Sequence, residues 1–175
     1  MKRLFLPLAA AAALTLTGQS LSGRRAPSFS LPDSALAQHD LLDYRGRWLL
    51  LDFMKTDCPH CVALSRVLED VKKQFGARLD VLSIVIAPPE NTNTVAKYAL
   101  DNKLTSPIVF DQGQVAVSYF KATPTRPGFD TPHLFVINPA GTIVRDWLDN
   151  DQTKEILEGK GLARELQALL AGSGK

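Results

Sequence analysis

The 175-residue chain is poor in the residues that make covalent or metal-stapled scaffolds, with two cysteines, three histidines, two methionines and two tryptophans. Two cysteines cannot form a disulfide framework, and a four-ligand zinc site would have to use nearly every cysteine and histidine present. No resident metal is therefore expected. An excess of one charge is missing too, since 20 Lys and Arg stand against 18 Asp and Glu. That balance excludes a phosphate-tracking surface, and with it nucleic acid as the expected partner. Internal repeats, low-complexity segments and a second domain boundary are absent. With 45% hydrophobic and 22% charged residues, the composition is that of one ordinary globular domain.

A long apolar run occurs once, from Leu4 to Leu16. It is shorter than the ~20 residues that a membrane-spanning helix needs. Lys2 and Arg3 precede it and the small residues Gly18 and Ser20 follow it, which is the pattern of a secretory signal cut after Ser20. Residues 1–20 read as an export signal, with an uncleaved membrane anchor as the alternative; residues 21–47 read as an N-terminal arm and 48–175 as the main domain. Arg24 stands where a lipidated cysteine would have to be, so lipid anchoring is not expected. A periplasmic or otherwise exported location follows, tethered only if the N-terminal segment stays attached. Such a compartment permits disulfide chemistry.

Residues 24–47 mix Pro27, Pro32, Asp33 and Gly46 with short apolar stretches, as an extended arm or small hairpin does. The run Trp48 to Met54 reads as a strand buried on both faces. After Cys58-Pro59, apolar residues recur at three- and four-residue intervals through Phe75 until Gly76, which predicts a helix with proline at its first turn and glycine past its end. Further strands are expected over 79–86, 108–110, 133–137 and 142–147. Helices are expected over 92–104, with Val95, Ala96, Ala99 and Leu100 inward, over 114–120, and over 154–170 with a break near Gly159 and Gly161. Residues 121–131 read as a loop. Alternating strands and helices closed by an antiparallel hairpin predict an α/β sheet covered on both faces.

Cys58-Pro59-His60-Cys61 lies at the strand-to-helix junction. Unpaired backbone N–H groups at the helix start favour a Cys58 thiolate, and a His60 imidazolium beside it would add to that effect. Cys61, one turn on, is placed to attack a mixed disulfide formed by Cys58, which is the layout of a reversible dithiol. Asp52 interrupts the apolar strand six residues before Cys58. A buried carboxyl is costly without work or partners. Its functional reading is an acid/base of raised pKa serving Cys61, and its bland reading is a satisfied structural carboxylate. Pro132 opens a strand, where proline forbids one ladder hydrogen bond. A cis Thr131–Pro132 bond would account for it and would expose the Thr131 backbone to an extended substrate; an ordinary trans proline is the alternative.

Assembled, these features resemble the thioredoxin-like fold and, more closely, the exported TlpA/ResA-type thiol-disulfide oxidoreductases, over about residues 26–170. The resemblance rests on Ala26 to Asp33, Tyr44-Arg45-Gly46-Arg47, the Cys58-to-Cys61 motif, Thr131-Pro132 and Val136 to Gly141. It implies a three-layer sheet with an N-terminal arm and an inserted helix-strand segment between Asn91 and Phe110. It implies Cys58 as nucleophile, Cys61 as resolving thiol, Pro132 as the cis-proline, Asp52 as the buried acid, and Pro59 and Thr131 at the substrate. Protein thiols and disulfides would be the substrates of a monomer, served by a redox partner that the sequence does not identify. The Cys58–Cys61 disulfide would be the redox group, with no separate cofactor. Asp57 replaces the family's usual tryptophan before the first cysteine, and Leu64 replaces an acidic residue after the second. The Pro-His pair is that of the strongly oxidising disulfide-forming enzyme of the bacterial periplasm. Two alternatives stand beside this reading. A peroxiredoxin-like peroxidase would need threonine or serine at Lys55 and proline at Leu51. A copper-binding module of the Sco type would have three residues between its cysteines and would use a histidine such as His133. His39, alone in the arm, is expected at the surface.

Overall fold

The computed structural model describes residues 22–125 and 128–172. The expected export signal over residues 1–20 lies outside the described residues, as do positions 126 and 127 of the expected loop. Among the described residues no helix is long and apolar enough to cross a membrane.

Strand β3 (Trp48–Phe53) is buried along its whole length. It has β4 (Leu79–Ile86) parallel on one side and β6 (His133–Ile137) antiparallel on the other, within a five-stranded sheet ordered β5-β4-β3-β6-β7. Strand β5 (Ile108–Asp111) pairs parallel with β4, and β7 (Ile143–Leu148) pairs antiparallel with β6. A strand paired on both edges and covered on both faces has no solvated side, hence the unbroken apolar run. Alternation then divides it. Leu49, Leu51 and Phe53 join Phe29, Leu82, Ile84, Tyr119 and Phe135 on one face, while Leu50 joins Leu64, Leu68, Val136, Leu162 and Leu166 on the other.

Helix α1 (Pro59–Phe75) covers the second face with Cys61, Leu64, Leu68, Val71 and Phe75, and stops at Gly76 in the left-handed region, φ 56°. The short α4 (Lys154–Leu157) and α5 (Gly161–Gly172) extend this layer with Leu157, Leu162 and Leu166. The other face carries α3 (Gln114–Phe120) and the arm, which folds as an antiparallel hairpin of β1 (Ser30–Pro32) and β2 (Gln38–Asp40). Bridges from Arg25 to Thr142 and from Asp33 to Val109 fasten the arm at opposite edges of the sheet. These layers are the expected architecture, and the hairpin and inserted segment fall where the sequence places them.

Helix α2 (Thr92–Asp101) departs from expectation in extent and in facing. It ends three residues early, where Asn102 caps it and Lys103 turns to φ 54°; Leu104 returns from the loop to pack near Cys61. Val95 and Tyr98 point inward, whereas Ala96 is exposed and Leu100 is 78% exposed. A large ring is buried in preference to Leu100 because its hydroxyl finds a partner there, Ser65 Oγ at 2.8 Å. His39 is not a plain surface residue either. Its side chain is 20% exposed, with Nε2 3.1 Å from Asp33 Oδ2 and Nδ1 3.1 Å from the Tyr44 hydroxyl.

Glu69 on α1 accepts hydrogen bonds from the backbone N–H and hydroxyl groups of both Thr105 and Ser106, at 2.6–3.0 Å, and so pins the loop before β5. Glu69→Ala leaves these donors unmatched. We expect it to destabilise the fold by at least about 1–3 kcal/mol, the cost of a buried amide without its acceptor, measured by urea unfolding; an unchanged midpoint would contradict the assignment.

Candidate active site

Cys58 is the N-cap of α1, with extended backbone angles of φ −104° and ψ 114°. This places its sulfur over the open end of the helix, where the Cys61 N–H donates to Cys58 Sγ at 3.2 Å. Pro59 occupies the first turn because its missing N–H would have had no partner there. Both cysteines are free thiols; Cys58 is half-buried and Cys61 is fully buried. On the far side of the sulfur stands the Thr131–Pro132 turn. Its peptide bond is cis, and the Thr131 carbonyl oxygen lies 4.0 Å from Cys58 Sγ. Ala87–Pro88 and Pro88–Pro89, which the sequence did not single out, are cis as well.

Beneath the dithiol lies Asp52, fully buried. Alternation along β3 turns it to the same side as Leu50 and Met54, and Met54 packs in the cluster that contains Cys61, Val85, Val95 and Tyr98. Neither carboxyl oxygen has a hydrogen-bond partner of good geometry. Burial pushes the Asp52 pKa up to about 8, eased downward by the hydroxyl of Ser83, its register partner on β4. Burial also pushes the Cys61 thiol well above its ordinary value; the Cys58 side chain and the Asp52 charge add to the rise, while a hydrogen bond with the Lys55 backbone opposes it. The Tyr98 hydroxyl is raised by burial first, against the Ser65 hydrogen bond that lowers it, and then by the Asp52 charge. An acid that titrates near neutral thus sits beside a thiol that does not ionise unaided.

His60, in the first turn of α1 between the cysteines, meets acidic partners that its sequence neighbours do not reveal. Its Nδ1 lies 2.5 Å from Glu158 Oε1 and 3.3 Å from Asp149 Oδ2. The hydrogen bond to Glu158, then the Asp149 and Glu158 charges, raise its pKa, against burial and Lys154. The imidazolium is therefore answered by two carboxylates. His133, next to the cis-proline, faces away from α1. It stacks on Phe135, and its Nε2 is bonded to Asp146. The histidine that a Sco-type copper site would require is thus held on the opposite face of the sheet.

The loop before Cys58 has an anchor that sequence reasoning missed. Glu90 accepts from Thr56 N at 2.7 Å, from Thr56 Oγ1 at 2.8 Å and from Thr94 Oγ1 at 2.6 Å. A cleft of about 350 Å³ opens beside it, lined by Lys55, Thr56, Asp57, Ile86, Pro89, Glu90 and Thr94. Glu90, Tyr98, Asp149 and Glu158 gave no signal because each reaches the site from a separate element. Asp52, Cys58 and Cys61 share one strand-turn-helix unit, and their spacing was readable.

The profile of the AhpC/TSA family matches residues 22–145. The chain is 30% identical over 139 residues to the thiol-disulfide oxidoreductase ResA of Geobacillus kaustophilus, covering 78% of this chain and 74% of that one. It is 25% identical to the thioredoxin-like protein YneN of Bacillus subtilis, covering 79% and 77%. Among solved structures, a thiol-disulfide oxidoreductase from Bacteroides fragilis superposes with TM-score 0.65 at 19% identity, over 83% of this chain and 99% of that one. That likeness shows the fold alone.

Two measurements follow from this geometry. Limiting alkylation of the reduced protein should place the adduct on Cys58, since Cys61 is sealed; prior labelling of Cys61 would contradict the site. Asp52 should also make stability fall with pH. From about pH 4, the ordinary carboxyl value, to about 8, the folded state holds a proton that the unfolded state releases. The loss is expected to approach about 1.4 kcal/mol per pH unit. Asp52→Asn should abolish that slope in denaturant melts across this range, and a slope equal to that of the wild type would refute the shift.

Proposed function

The chain belongs to the AhpC/TSA family and is a thiol-disulfide oxidoreductase of thioredoxin fold, and from that premise we propose the roles of its residues. Its substrates are protein thiols and disulfides. Cys58 is the nucleophile. Its sulfur attacks a substrate disulfide, one substrate sulfur leaves as a thiolate, and a mixed disulfide forms. Cys61 then gives its proton to Asp52 in its ionised form, a minor population at neutral pH for a carboxyl titrating near 8, and attacks Cys58 Sγ; the second substrate thiolate departs, the substrate is reduced and the Cys58–Cys61 pair is oxidised to its disulfide. The reverse sequence oxidises a substrate dithiol. A carboxyl titrating near 8 serves both directions, because an acid/base is most effective with its pKa close to the working pH.

Thr131 offers its backbone to an extended substrate segment beside Cys58, with Pro132 holding the turn and exposed Pro59 forming the opposite rim. The Cys58–Cys61 pair is the redox group and no separate cofactor is needed. We place the protein as a monomer in an exported compartment, where such a pair meets disulfides; the apolar run at Leu4 to Leu16 supports this, and a redox partner must restore the dithiol. The observation that carries the reading is the pairing of an accessible sulfur at a helix start with a sealed thiol above an unpartnered buried acid.

Cys61→Ser should accumulate a mixed disulfide with a model protein disulfide, and Cys58→Ser should form none. Asp52→Asn should slow resolution at neutral pH by roughly tenfold to ten-thousandfold while changing Cys58 alkylation much less, read by stopped-flow exchange. A resolution rate equal to that of the wild type would leave Asp52 a structural carboxyl only.

A further inference from the structure

His60, Asp149 and Glu158 bring one donor atom each from three segments distant in sequence: the first turn of α1, the residue that follows β7, and the end of α4. His60 Nδ1 lies 3.3 Å from Asp149 Oδ2 and 2.5 Å from Glu158 Oε1. The three donors lie within 4.8 Å of one another, and among the described residues this is the one set of three histidine, cysteine or carboxylate donors so placed. Both acids are largely covered, at 15% and 18% side-chain exposure for Asp149 and Glu158, whereas His60 is 56% exposed. An imidazolium answers one of the two negative charges held there; a divalent cation answers both.

The acids are presented by fixed backbone. The Asp149 N–H donates to the Pro132 carbonyl at 3.2 Å, and the turn after it is closed by Asn150 Oδ1, which accepts from the Gln152 and Thr153 N–H groups at 2.9 and 3.2 Å. Glu158 caps α4, its N–H donating to the Lys154 carbonyl at 2.8 Å. The exposed His60 ring is the adjustable member, and its side is the way in from solvent.

We propose that His60, Asp149 and Glu158 form a binding site for one divalent cation of the zinc class, His60 ligating through Nδ1 and each acid through a carboxylate oxygen. Tetrahedral zinc, with bonds of about 2.0–2.2 Å to nitrogen and oxygen, holds its ligand atoms about 3.3–3.5 Å apart. The spacing from Nδ1 to Asp149 already fits, and the spacing to Glu158 is reached when the ring withdraws by about 1 Å. The cation takes the place of the proton between His60 and Glu158, which passes to solvent. Three protein donors leave a fourth position to water. An imidazole nitrogen with two carboxylates suits zinc and its transition-metal neighbours, whereas magnesium and calcium favour oxygen donors alone. Neither cysteine is a ligand, so the site is independent of the redox state of the dithiol and differs from a Sco-type arrangement. A tally of cysteine and histidine does not reveal it, because two of its three donors are carboxylates. Bound there, the cation fastens the first turn of α1 to the segments at either end of α4.

The full chain in its Cys58–Cys61 disulfide form, in which neither sulfur offers a thiolate, is titrated with Zn²⁺ against a chromophoric chelator in the presence of millimolar Mg²⁺. One Zn²⁺ should bind per chain, and the melting temperature should rise with Zn²⁺ and fall back on adding EDTA. His60→Ala, Asp149→Asn and Glu158→Gln should each weaken binding by at least about tenfold, the loss that even an outer partner of a metal ligand produces. His39→Ala, at the other exposed histidine-acid pair, should leave it unchanged. In the unaltered protein, proton NMR should show Zn²⁺ shifting the ring resonances of His60 and not those of His39 or His133, a readout that needs no variant to fold. Displacement of Zn²⁺ by the Mg²⁺ would overturn the proposal. So would affinities within twofold of wild type for both His60→Ala and Glu158→Gln, or ring shifts confined to His39 or His133.

Discussion

A carboxyl fully buried on the central strand, with no hydrogen-bond partner of good geometry, is the constraint around which the rest is arranged. Asp52 is fully enclosed there, and the Ser83 hydroxyl, its neighbour on β4, approaches it without a well-formed hydrogen bond. An ionised group in that place is costly enough that the fold keeps the proton instead. Apolar side chains of the strand and of α1 create the enclosure that raises its pKa, and Ser83 softens that rise without cancelling it. The same enclosure seals Cys61 and suppresses its ionisation. Stability and chemistry therefore pull in opposite directions at this residue: the packing that makes the domain cohere is also what brings the proton exchange of Asp52 up to about pH 8.

Around this core, three contacts hold the reacting sulfur at the surface. Glu90 fastens Thr56 to the start of α2 and so fixes the loop that leads into Cys58. The first turn of α1 holds Cys58 Sγ through the Cys61 N–H. Asp149 links the carbonyl of Pro132 to His60, closing a ring of contacts from the cis-proline turn back to the helix. The ring uses β3, α1, β6 and the segment after β7, elements that the sheet order β5-β4-β3-β6-β7 brings together at one end.

What could be read from the sequence was what is local in it. Trp48 to Phe53 announced a doubly buried strand, Pro59 and Gly76 bracketed the main helix, and the six-residue interval from Asp52 to Cys58 spans a single strand and turn. Thr131-Pro132 was noticed because proline at the start of a strand conflicts with ladder pairing. Facing along α2 was misjudged because an apolar stripe of Val95, Ala96, Ala99 and Leu100 looked sufficient, whereas the Ser65 hydroxyl made burial of Tyr98 the better solution. The acidic partners of His60 and His133 come from elements distant in sequence, Asp149 and Glu158 for the first and Asp146 for the second. Glu158 is 98 residues from His60, a separation at which no spacing rule operates.

The measurement that bears most directly on this account is the titration of the Asp52 carboxyl in the reduced protein, followed by carbon-13 NMR of labelled aspartate and assigned by its absence in Asp52→Asn. A midpoint near 8 is expected, with the Cys61 environment responding over the same range. A midpoint in the ordinary carboxylate range near 4 would contradict it, leaving Cys61 without the buried acid on which its role as resolving thiol is built.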